Sequence, residues 1–346
     1  MLAFASAGLA RSGSGSGGEG EPLRVSYSLS IDAIPLKFGI DQGIFRSYGL
    51  EMVGEFMRSP KERRYALASG DLDCIIGDIS TAIFGVANAQ QTIAITSTAF
   101  ERIDGGRQLA LLGSGRNYMG VETLEELLDR LDSSWQNSIG VVRYTDVEFA
   151  TDMLFERLGH QVDERQWYQE ALDHVTVYQL LIFGKILAGV LPEPLATLAS
   201  ERNSIPNGGT LREGDWAFVL SEYEGVSIMP SVIVFRRELL SEGTRVERFY
   251  QAYGEAVDQL NALPREERLQ LGVEMGLAAF RELYPVQGWQ PPEGFAEIFE
   301  VVEFPQPRAL SEEEFEAVAR WAERKGYIKG GSPPTYAEVV DTSFVA

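Results

Sequence analysis

Residues 23–56 read LRVSYSLSIDAIPLKFGIDQGIFRSYGLEMVGEF, in which a strand, a helix and a second strand follow one another. Apolar residues occupy every second position over residues 23–29, which is the period of a half-buried strand. The tripeptide 30–32 interrupts this alternation, and residues 33–48 are predicted to form a helix that ends at a glycine. Residues 50–56 are predicted to form the next strand. The stretch is therefore typical of a β-α-β unit.

Strands and helices keep alternating on the C-terminal side of this unit. Further strands are predicted at residues 73–79, 92–98, 139–143, 188–191, 216–220 and 227–235. Further helices are predicted at residues 60–69, 80–89, 147–158, 175–187, 244–262, 265–283 and 311–325, and a short helix is predicted after residues 192–194. This order indicates an α/β fold with mixed, mostly parallel sheets that carry helices on both faces.

A weak internal repeat predicts two lobes of similar architecture. The motif Leu67-x-x-Gly70-x-Leu72 returns as Leu181-x-x-Gly184-x-Ile186, and residues 30–32 correspond to residues 144–146, both at an offset of 114 positions. Each copy places an aspartate at the first break after a strand, where it can cap the following helix.

The predicted division has one linker and two lobes. Residues 1–22 contain a signal remnant and a flexible linker, residues 23–100 plus 223–346 form the first lobe, and residues 101–222 form the second lobe. The chain would then cross between the lobes twice, near residues 99–102 and 220–224, and such paired crossings make a hinge.

The composition excludes several classes of function. The chain has 346 residues, enough for two domains, and 51 acidic against 30 basic residues give a net charge of −21. Nucleic acid and anionic lipid would repel such a chain, so neither is expected as a partner. Cys74 is the only cysteine and lies in an apolar run, which predicts a buried thiol and no internal disulfide.

No signal of catalysis or of a cofactor is present in the sequence. His160 and His174 are the only histidines, and their spacing fits neither a zinc site nor a catalytic triad. A phosphate-binding lysine loop, a nucleophile elbow and a His-Glu-x-x-His motif are all missing. The glycines at 15, 17 and 20 do not form a dinucleotide fingerprint, because no strand precedes them. We therefore predict no metal, no cofactor, no catalytic residues and no enzymatic activity.

The N-terminus allows two interpretations. Residues 1–10 read MLAFASAGLA and are similar to the second half of a signal peptide, but no basic segment precedes them and no lipid-anchoring cysteine follows. Residues 11–22 are rich in glycine and serine, as in a flexible linker. The segment is either a shortened export signal or an extension of a cytoplasmic protein, and we favour export.

Candidate ligand-binding residues follow the predicted strands. Ligands of open α/β sheets bind beyond the carboxyl ends of the strands, where helices begin and offer unpaired N–H groups. Two facing lobes would bring two sets of such loops into one cleft. The candidates are Ser30, Ile31, Asp32, Asp78, Ile79, Ser80, Thr81, Ser97, Thr98, Tyr144, Thr145, Asp146, Glu193, Glu222 and Tyr223.

Alternative roles remain for several of these residues. Asp32, Ser80 and Asp146 could act only as helix caps. Tyr144 could be a surface aromatic or could stack on a flat ligand. Glu193 lies between two prolines that fix its backbone direction, which suits either a hinge or a pocket.

Five segments, in this order, resemble the type II periplasmic binding proteins of the thiamine-precursor, alkanesulfonate, taurine and nitrate group. They include the proline, glycine and leucine positions of residues 33–50 and the run Ala66-Leu67-Ala68-Ser69-Gly70-Asp71-Leu72-Asp73. The other three are the proline-marked loop at residues 191–197, the strand at residues 232–236 and the final residues 321–340. The resemblance covers residues 23–345.

The resemblance implies a two-lobed Venus-flytrap fold that closes on a small solute. Such a receptor delivers its solute to the permease subunits of an ABC importer. It would be monomeric and periplasmic or extracellular, with a membrane anchor in the full-length form as an alternative. An acidic residue at position 78 favours a ligand with N–H donors, such as a pyrimidine or another heterocycle. We expect Asp78→Ala and Tyr144→Ala each to weaken binding by roughly 1–3 kcal/mol.

Three alternatives to this function remain open. The first is a receptor for a sulfonate or nitrate, although the pocket loop of the sulfonate receptors is not evident at residues 77–80. The second is an enzyme of related fold from pyrimidine or menaquinone biosynthesis. The iron-dependent pyrimidine branch carries a cysteine cluster, and a single Cys74 argues against it. The third is a sensor that reports its ligand to a partner protein.

Overall fold

The computed structural model describes residues 21–28, 30–101, 108–115, 120–132, 134–161, 167–200, 217–283 and 303–345, and their strands form two five-stranded sheets. The strands are β1 Leu23–Tyr27, β2 Met52–Phe56, β3 Cys74–Gly77, β4 Ile93–Phe100, β5 Leu109–Ser114, β6 Ile139–Val141, β7 Tyr168–Glu170, β8 Ala188–Pro192, β9 Ala217–Ser221 and β10 Ser231–Arg236. The helices of the first half are α1 Ile34–Asp41, α2 Ile44–Ser47, α3 Pro60–Ser69, α4 Ile79–Ala89, α5 Leu124–Arg130 and α6 Asp146–Arg157. The remaining helices are α7 His174–Ile182, α8 Leu195–Ser200, α9 Arg237–Leu240, α10 Gly243–Ala262, α11 Arg265–Leu283, α12 Glu312–Arg324 and α13 Tyr336–Val339. Short 3₁₀ helices span Ile31–Ala33 and Trp135–Asn137.

The two sheets have the same pattern of strand directions. The first sheet has the order β2-β1-β3-β10-β4, and the second has the order β7-β6-β8-β5-β9. In the first sheet β1 is parallel to β2 and β3, while β10 is antiparallel to β3 and β4. In the second sheet β6 is parallel to β7 and β8, while β5 is antiparallel to β8 and β9. The predicted α/β class with mixed sheets is confirmed, and both sheets share one architecture.

The repeated glycines have the same structural role in both halves. Gly70 ends α3 with a φ of +80°, and Gly184 follows α7 with a φ of +60°. Residues with a side chain rarely adopt such left-handed conformations. Each glycine turns the chain into the third strand of its sheet, β3 or β8. The repeat in the sequence thus marks corresponding turns.

Several predicted boundaries were wrong for local reasons. The single helix predicted at residues 33–48 is divided into α1 and α2, because Gly43 between them is left-handed with a φ of +70°. The helix predicted at residues 175–187 ends at Ile182, before Gly184. No strand was predicted for β5, whose six residues are all buried and show no alternation, or for the three-residue β7.

The central strands of the first sheet form its core. All residues of β3 and β4 are buried, as expected for strands with helices against both faces. Cys74 lies on β3 as a buried free thiol, which confirms its predicted burial. None of the helices in the described ranges is long and apolar enough to cross a membrane.

Two connections of the chain and its C-terminal segment are among the parts that link the two sheets. The connections from β4 to β5 and from β9 to β10 are the crossings that the sequence predicted as a hinge. The C-terminal segment links them because Trp321 of α12 packs on Phe149 of α6 and donates a hydrogen bond to Asp152 (2.7 Å). The lobe boundaries themselves remain a prediction.

Candidate functional site

A cavity of about 100 Å³, here called the inner cavity, lies where the strand ends of both sheets meet. The loops after β1, β3 and β6 and the end of β8 all reach it. Its wall mixes polar groups with apolar ones, as in sites for small organic ligands. The polar lining consists of Ser28, Ser30, Asp32, Arg58, Arg63, Asp78, Gln108, Asp146, His174 and Ser231. The other lining residues are Ile31, Pro60, Gly77, Phe100, Leu109, Val147, Pro192, Ile228, Met229 and Pro230.

Asp146 binds the N-terminus of a helix that belongs to the other sheet. Its two carboxylate oxygens accept hydrogen bonds from the backbone N–H groups of Ile79 (2.8 Å) and Ser80 (3.1 Å) of α4. These N–H groups have no partner within the helix and carry the positive end of its dipole. Asp146 therefore occupies a position that suits an anionic ligand group.

The capping role predicted for the two aspartates of the repeat was wrong. Thr145 caps α6 by accepting a hydrogen bond from the N–H of Glu148, because Asp146 already lies inside the first turn and turns away. Asp32 accepts a hydrogen bond from the Ser30 hydroxyl instead of capping a helix. Both carboxylates are thus directed to the inner cavity.

The two carboxyl groups at the start of α4 differ in protonation. Burial and the nearby negative charge of Asp146 raise the pKa of Asp78 to about 8, and the Asp78 side chain makes no capping hydrogen bond. Burial also raises the pKa of Asp146, to about 6, although the hydrogen bonds from Ser80 and Ile79 oppose the rise. At pH 7 Asp78 is therefore mostly protonated and Asp146 mostly ionised.

Asp32 and Arg63 lie on the wall formed by the first sheet. Burial raises the pKa of Asp32, while the charge of Arg63 acts in the opposite direction. Arg63 is only 5% exposed and donates a hydrogen bond to the carbonyl of Met57 (2.9 Å). Ser28 and Ser30 share a hydrogen bond of 2.5 Å beside Asp32. Donors and acceptors therefore alternate along this wall.

Arg58, Arg63 and His174 also line the inner cavity and were not predicted from the sequence. Arg58 forms an ion pair with Asp173 (2.8 Å), the residue that caps α7. Burial lowers the pKa of His174 to about 4, so its imidazole is neutral at pH 7. Its Nδ1 is buried without a hydrogen-bond partner in the described part of the chain. The capping aspartate directly before His174 is the signal in the sequence that places this histidine at the start of a helix.

Five of the predicted site residues line the inner cavity, and two line another opening. Ile79 and Ser80 do not line the cavity themselves. Their backbone N–H groups donate to Asp146, which does. Thr81 and Tyr144 line a separate groove between the two sheets. The five that line the cavity are Ser30, Ile31, Asp32, Asp78 and Asp146.

The other predicted residues have partners outside both openings. Ser97 shares a hydrogen bond with the Tyr250 hydroxyl (2.9 Å), and Thr98 accepts one from the N–H of Arg308 (3.1 Å). Tyr223 shares one with Thr151 (2.9 Å).

Glu193 and Glu222 also lie outside both openings. Glu193 accepts hydrogen bonds from the backbone N–H (3.2 Å) and the hydroxyl (3.0 Å) of Thr197 at the start of α8. Glu222 is exposed beside Tyr223. The ligand roles of all these residues stay predictions.

Within the described ranges, no group of three or more histidine, cysteine, aspartate or glutamate side chains could hold a metal ion.

Comparisons with known proteins show the fold. No family model matches the sequence, and no curated protein matches it either. Among solved structures, the chain is similar to the ligand-binding component of an ABC-type import system from Staphylococcus aureus with zinc bound. The TM-score is 0.70 at 14% identity, over 94% of this chain and 98% of that one.

Two further solved structures have similar scores. The alkanesulfonate-binding protein from Xanthomonas axonopodis pv. citri bound to MOPS has a TM-score of 0.67 at 13% identity, over 94% of this chain and 99% of that one. The periplasmic nitrate-binding protein from Synechocystis PCC 6803 has a TM-score of 0.67 at 12% identity, over 94% and 88%. The fold implied by the resemblance is confirmed: the chain has the periplasmic binding protein fold.

Proposed function

We propose that this protein is a solute-binding receptor that holds a small, neutral heterocycle with N–H donors in the inner cavity. One observation is the main support for this class of ligand. The anion-binding N-terminus of α4 is already occupied by Asp146, and the adjacent Asp78 keeps a proton at neutral pH. A sulfonate or nitrate would have to displace a carboxylate that makes two hydrogen bonds, and it would lie beside two further acids.

A neutral heterocycle matches the groups that line the inner cavity. The protonated carboxyl of Asp78 both donates and accepts, so it can pair with an N–H and a neighbouring carbonyl of one ring. The neutral His174 adds an unsatisfied Nδ1. The rings and branched chains of Phe100, Ile31 and Leu109 supply apolar surface for the faces of the ligand.

The cavity wall suggests how binding is coupled to closure. A ligand that touches both sheets stabilises the arrangement in which they face each other, whereas a ligand that touches one sheet does not. The proposed lobes are residues 23–100 plus 223–346 and residues 101–222, with the hinge near residues 99–102 and 220–224. The protein would act outside the cytoplasm and dock on the permease subunits of an ABC importer. This role is supported by relatives described as periplasmic or as components of such systems.

A thermal-shift screen followed by calorimetry tests the ligand class. The probes are uracil, thymine and cytosine, compared with propanesulfonate, nitrate and spermidine. A ligand that binds only the folded state raises the melting temperature by mass action. We expect stabilisation by at least one neutral pyrimidine and none by the anions. Stabilisation by propanesulfonate or nitrate alone would overturn the proposed ligand class.

The variant Asp78→Ala tests whether the pyrimidine binds in the inner cavity. We expect it to weaken binding of the pyrimidine by roughly 1–3 kcal/mol, the range for a lost buried hydrogen bond. Asp129→Ala is the control, because Asp129 is exposed on α5, away from the inner cavity. Chemical conversion of the bound pyrimidine by the purified chain would instead support the enzymatic alternative.

A further inference from the structure

A second opening, here called the outer groove, has a volume of about 400 Å³ and lies between the two sheets. Helices α3 and α4 and residues 327–329 form one side, and the residues after β6 and β7 form the other. The outer groove and the inner cavity share only Pro60 in their linings. The groove is therefore a separate place for a ligand, and its volume is typical of small-molecule sites.

The outer groove is basic although the chain is strongly acidic. Four cationic side chains line it, those of Lys61, Arg64, Arg143 and Lys329, against one carboxylate, that of Glu170. Arg143 also pairs with the buried Glu148 behind the groove (3.4 Å), so three cations face the single lining carboxylate. The chain as a whole carries a net charge of −21. Such a local excess of positive charge raises the concentration of anions at the groove.

Arg64 has a feature that points to a ligand. The side chain is partly buried on α3, and burial lowers the pKa of its guanidinium group. No carboxylate of the described residues forms an ion pair or hydrogen bond with it. A partly buried guanidinium without an acidic partner gains from a bound anion, which would supply the missing charge.

Tyr144 lines the same groove with a partly exposed ring, and the Arg143 guanidinium lies over that ring at 5.7 Å. The Tyr144 ring lies 4.5 Å from that of Tyr327 and meets the edge of Phe84 at 6.1 Å, yet 43% of the residue is exposed. Its backbone is left-handed, with a φ of +64°, and its N–H donates to Glu148 (2.7 Å). A bulky residue holds this conformation only when its surroundings enforce it. Exposed Tyr65 and Leu172 add further apolar surface to the groove.

We propose that the outer groove is a second binding site for a small organic anion that carries a planar ring. Arg64 and Lys61 would hold the anionic group, and Tyr144 would stack on the ring. Because the walls come from both sheets, the anion would also favour the closed arrangement. This site does not depend on the nature of the solute in the inner cavity.

Titration calorimetry and ligand-observed NMR with benzoate test this site. Benzamide has the same ring without the charge, and acetate has the charge without the ring. We expect benzoate to bind at least tenfold more tightly than either. Equal binding of benzoate and acetate, or of benzoate and benzamide, would overturn the proposal.

Two variants assign the anion to the outer groove, since neither residue lines the inner cavity. Arg64→Gln and Tyr144→Ala should each reduce the affinity for benzoate at least fivefold. Arg265→Gln removes the same charge from an exposed position at the start of α11 and should leave the affinity unchanged. Circular dichroism and melting curves identify any variant that fails to fold. Unchanged affinity in both folded groove variants would overturn the assignment.

Discussion

Asp78 and Asp146 show how two adjacent carboxyl groups acquire different protonation states. Asp146 receives two backbone N–H bonds at a helix N-terminus, and these favour its charged form. The Asp78 side chain caps no N–H group and lies next to that charge. The proton therefore resides on Asp78, and the inner cavity offers a neutral acid beside an ionised one.

The raised pKa of Asp78 predicts a dependence of stability on pH. The folded value of about 8 exceeds the ordinary value of 3.8, so folding favours the protonated form. The stabilisation is complete below about pH 4 and is lost as the pH rises through 8. Between pH 5 and pH 8.5, we expect the wild-type protein to lose about 4 kcal/mol more unfolding free energy than Asp78→Asn does, measured with urea.

A matched variant separates this effect from the repulsion among the other acids. Asp129→Asn removes an exposed carboxylate and should retain the full pH dependence of the wild type. If Asp78→Asn and the wild type lose the same free energy over this interval, Asp78 is not protonated in the folded state.

Among the secondary-structure elements, the two glycine turns that end α3 and α7 account for the repeated motif. Both turns are left-handed, and a Cβ at Gly70 would also lie 3.1 Å from the Arg236 guanidinium. The backbone conformation alone is unfavourable for alanine. The two turns therefore constrain the positions of β3 and β8.

Gly70→Ala and Gly184→Ala should each lower the unfolding free energy by about 1 kcal/mol or more. Gly243→Ala is the control. Gly243 begins α10, and a Cβ there would meet no atom within 4 Å. That variant should be neutral or slightly stabilising, since alanine favours helices. Urea unfolding of the three variants would contradict this explanation if all three had equal stability.

In the molecule as a whole, several polar contacts among the described residues connect the two sheets. Asp146 accepts hydrogen bonds from the N-terminus of α4, and Arg58 pairs with Asp173. A further contact is a buried cluster between α6 and the C-terminal segment. In that cluster Lys325 pairs with Asp152 (2.6 Å) and Glu148 (3.2 Å), and the Glu148 side chain is fully buried. Tyr327 also donates a hydrogen bond to Glu148 (2.7 Å). These contacts connect elements that the sheets alone do not join.

Lys325→Ala should lower the unfolding free energy by about 3–5 kcal/mol, because it leaves the buried Asp152 without a cation and leaves Glu148 with Arg143 (3.4 Å) alone. Lys185→Ala removes a lysine from an exposed position and should change stability by less than about 0.5 kcal/mol. Similar unfolding curves for these two variants would show that the cluster does not stabilise the protein.

Asp146→Ala should weaken the contact between the sheets by about 1–3 kcal/mol, since two N–H groups of α4 lose their acceptor. We expect small-angle scattering to show a larger radius of gyration than for the wild type without ligand. Asp129→Ala should retain the wild-type scattering profile. An unchanged radius in Asp146→Ala would mean that other contacts suffice to hold the sheets together.

Much of the architecture follows from interactions between near neighbours in the chain. The alternation over residues 23–29, the helix at residues 60–69 and the two repeated glycines each depend on a few adjacent residues, so the pattern of residues was enough to predict them. Local signals failed where a strand had no alternation, as in β5, whose six residues are all buried.

The inner cavity, in contrast, depends on pairs that are distant in the chain. Asp146 accepts hydrogen bonds from residues 66 and 67 positions away, although the N–H groups of its own helix are nearer in the chain. Arg58, just before α3, and His174, at the start of α7, both line the cavity, and Arg58 pairs with the neighbouring Asp173. Local propensity carries no information about which helix N-terminus a carboxylate meets across a cleft. The packing of the two sheets sets that choice, and with it the charge of the site.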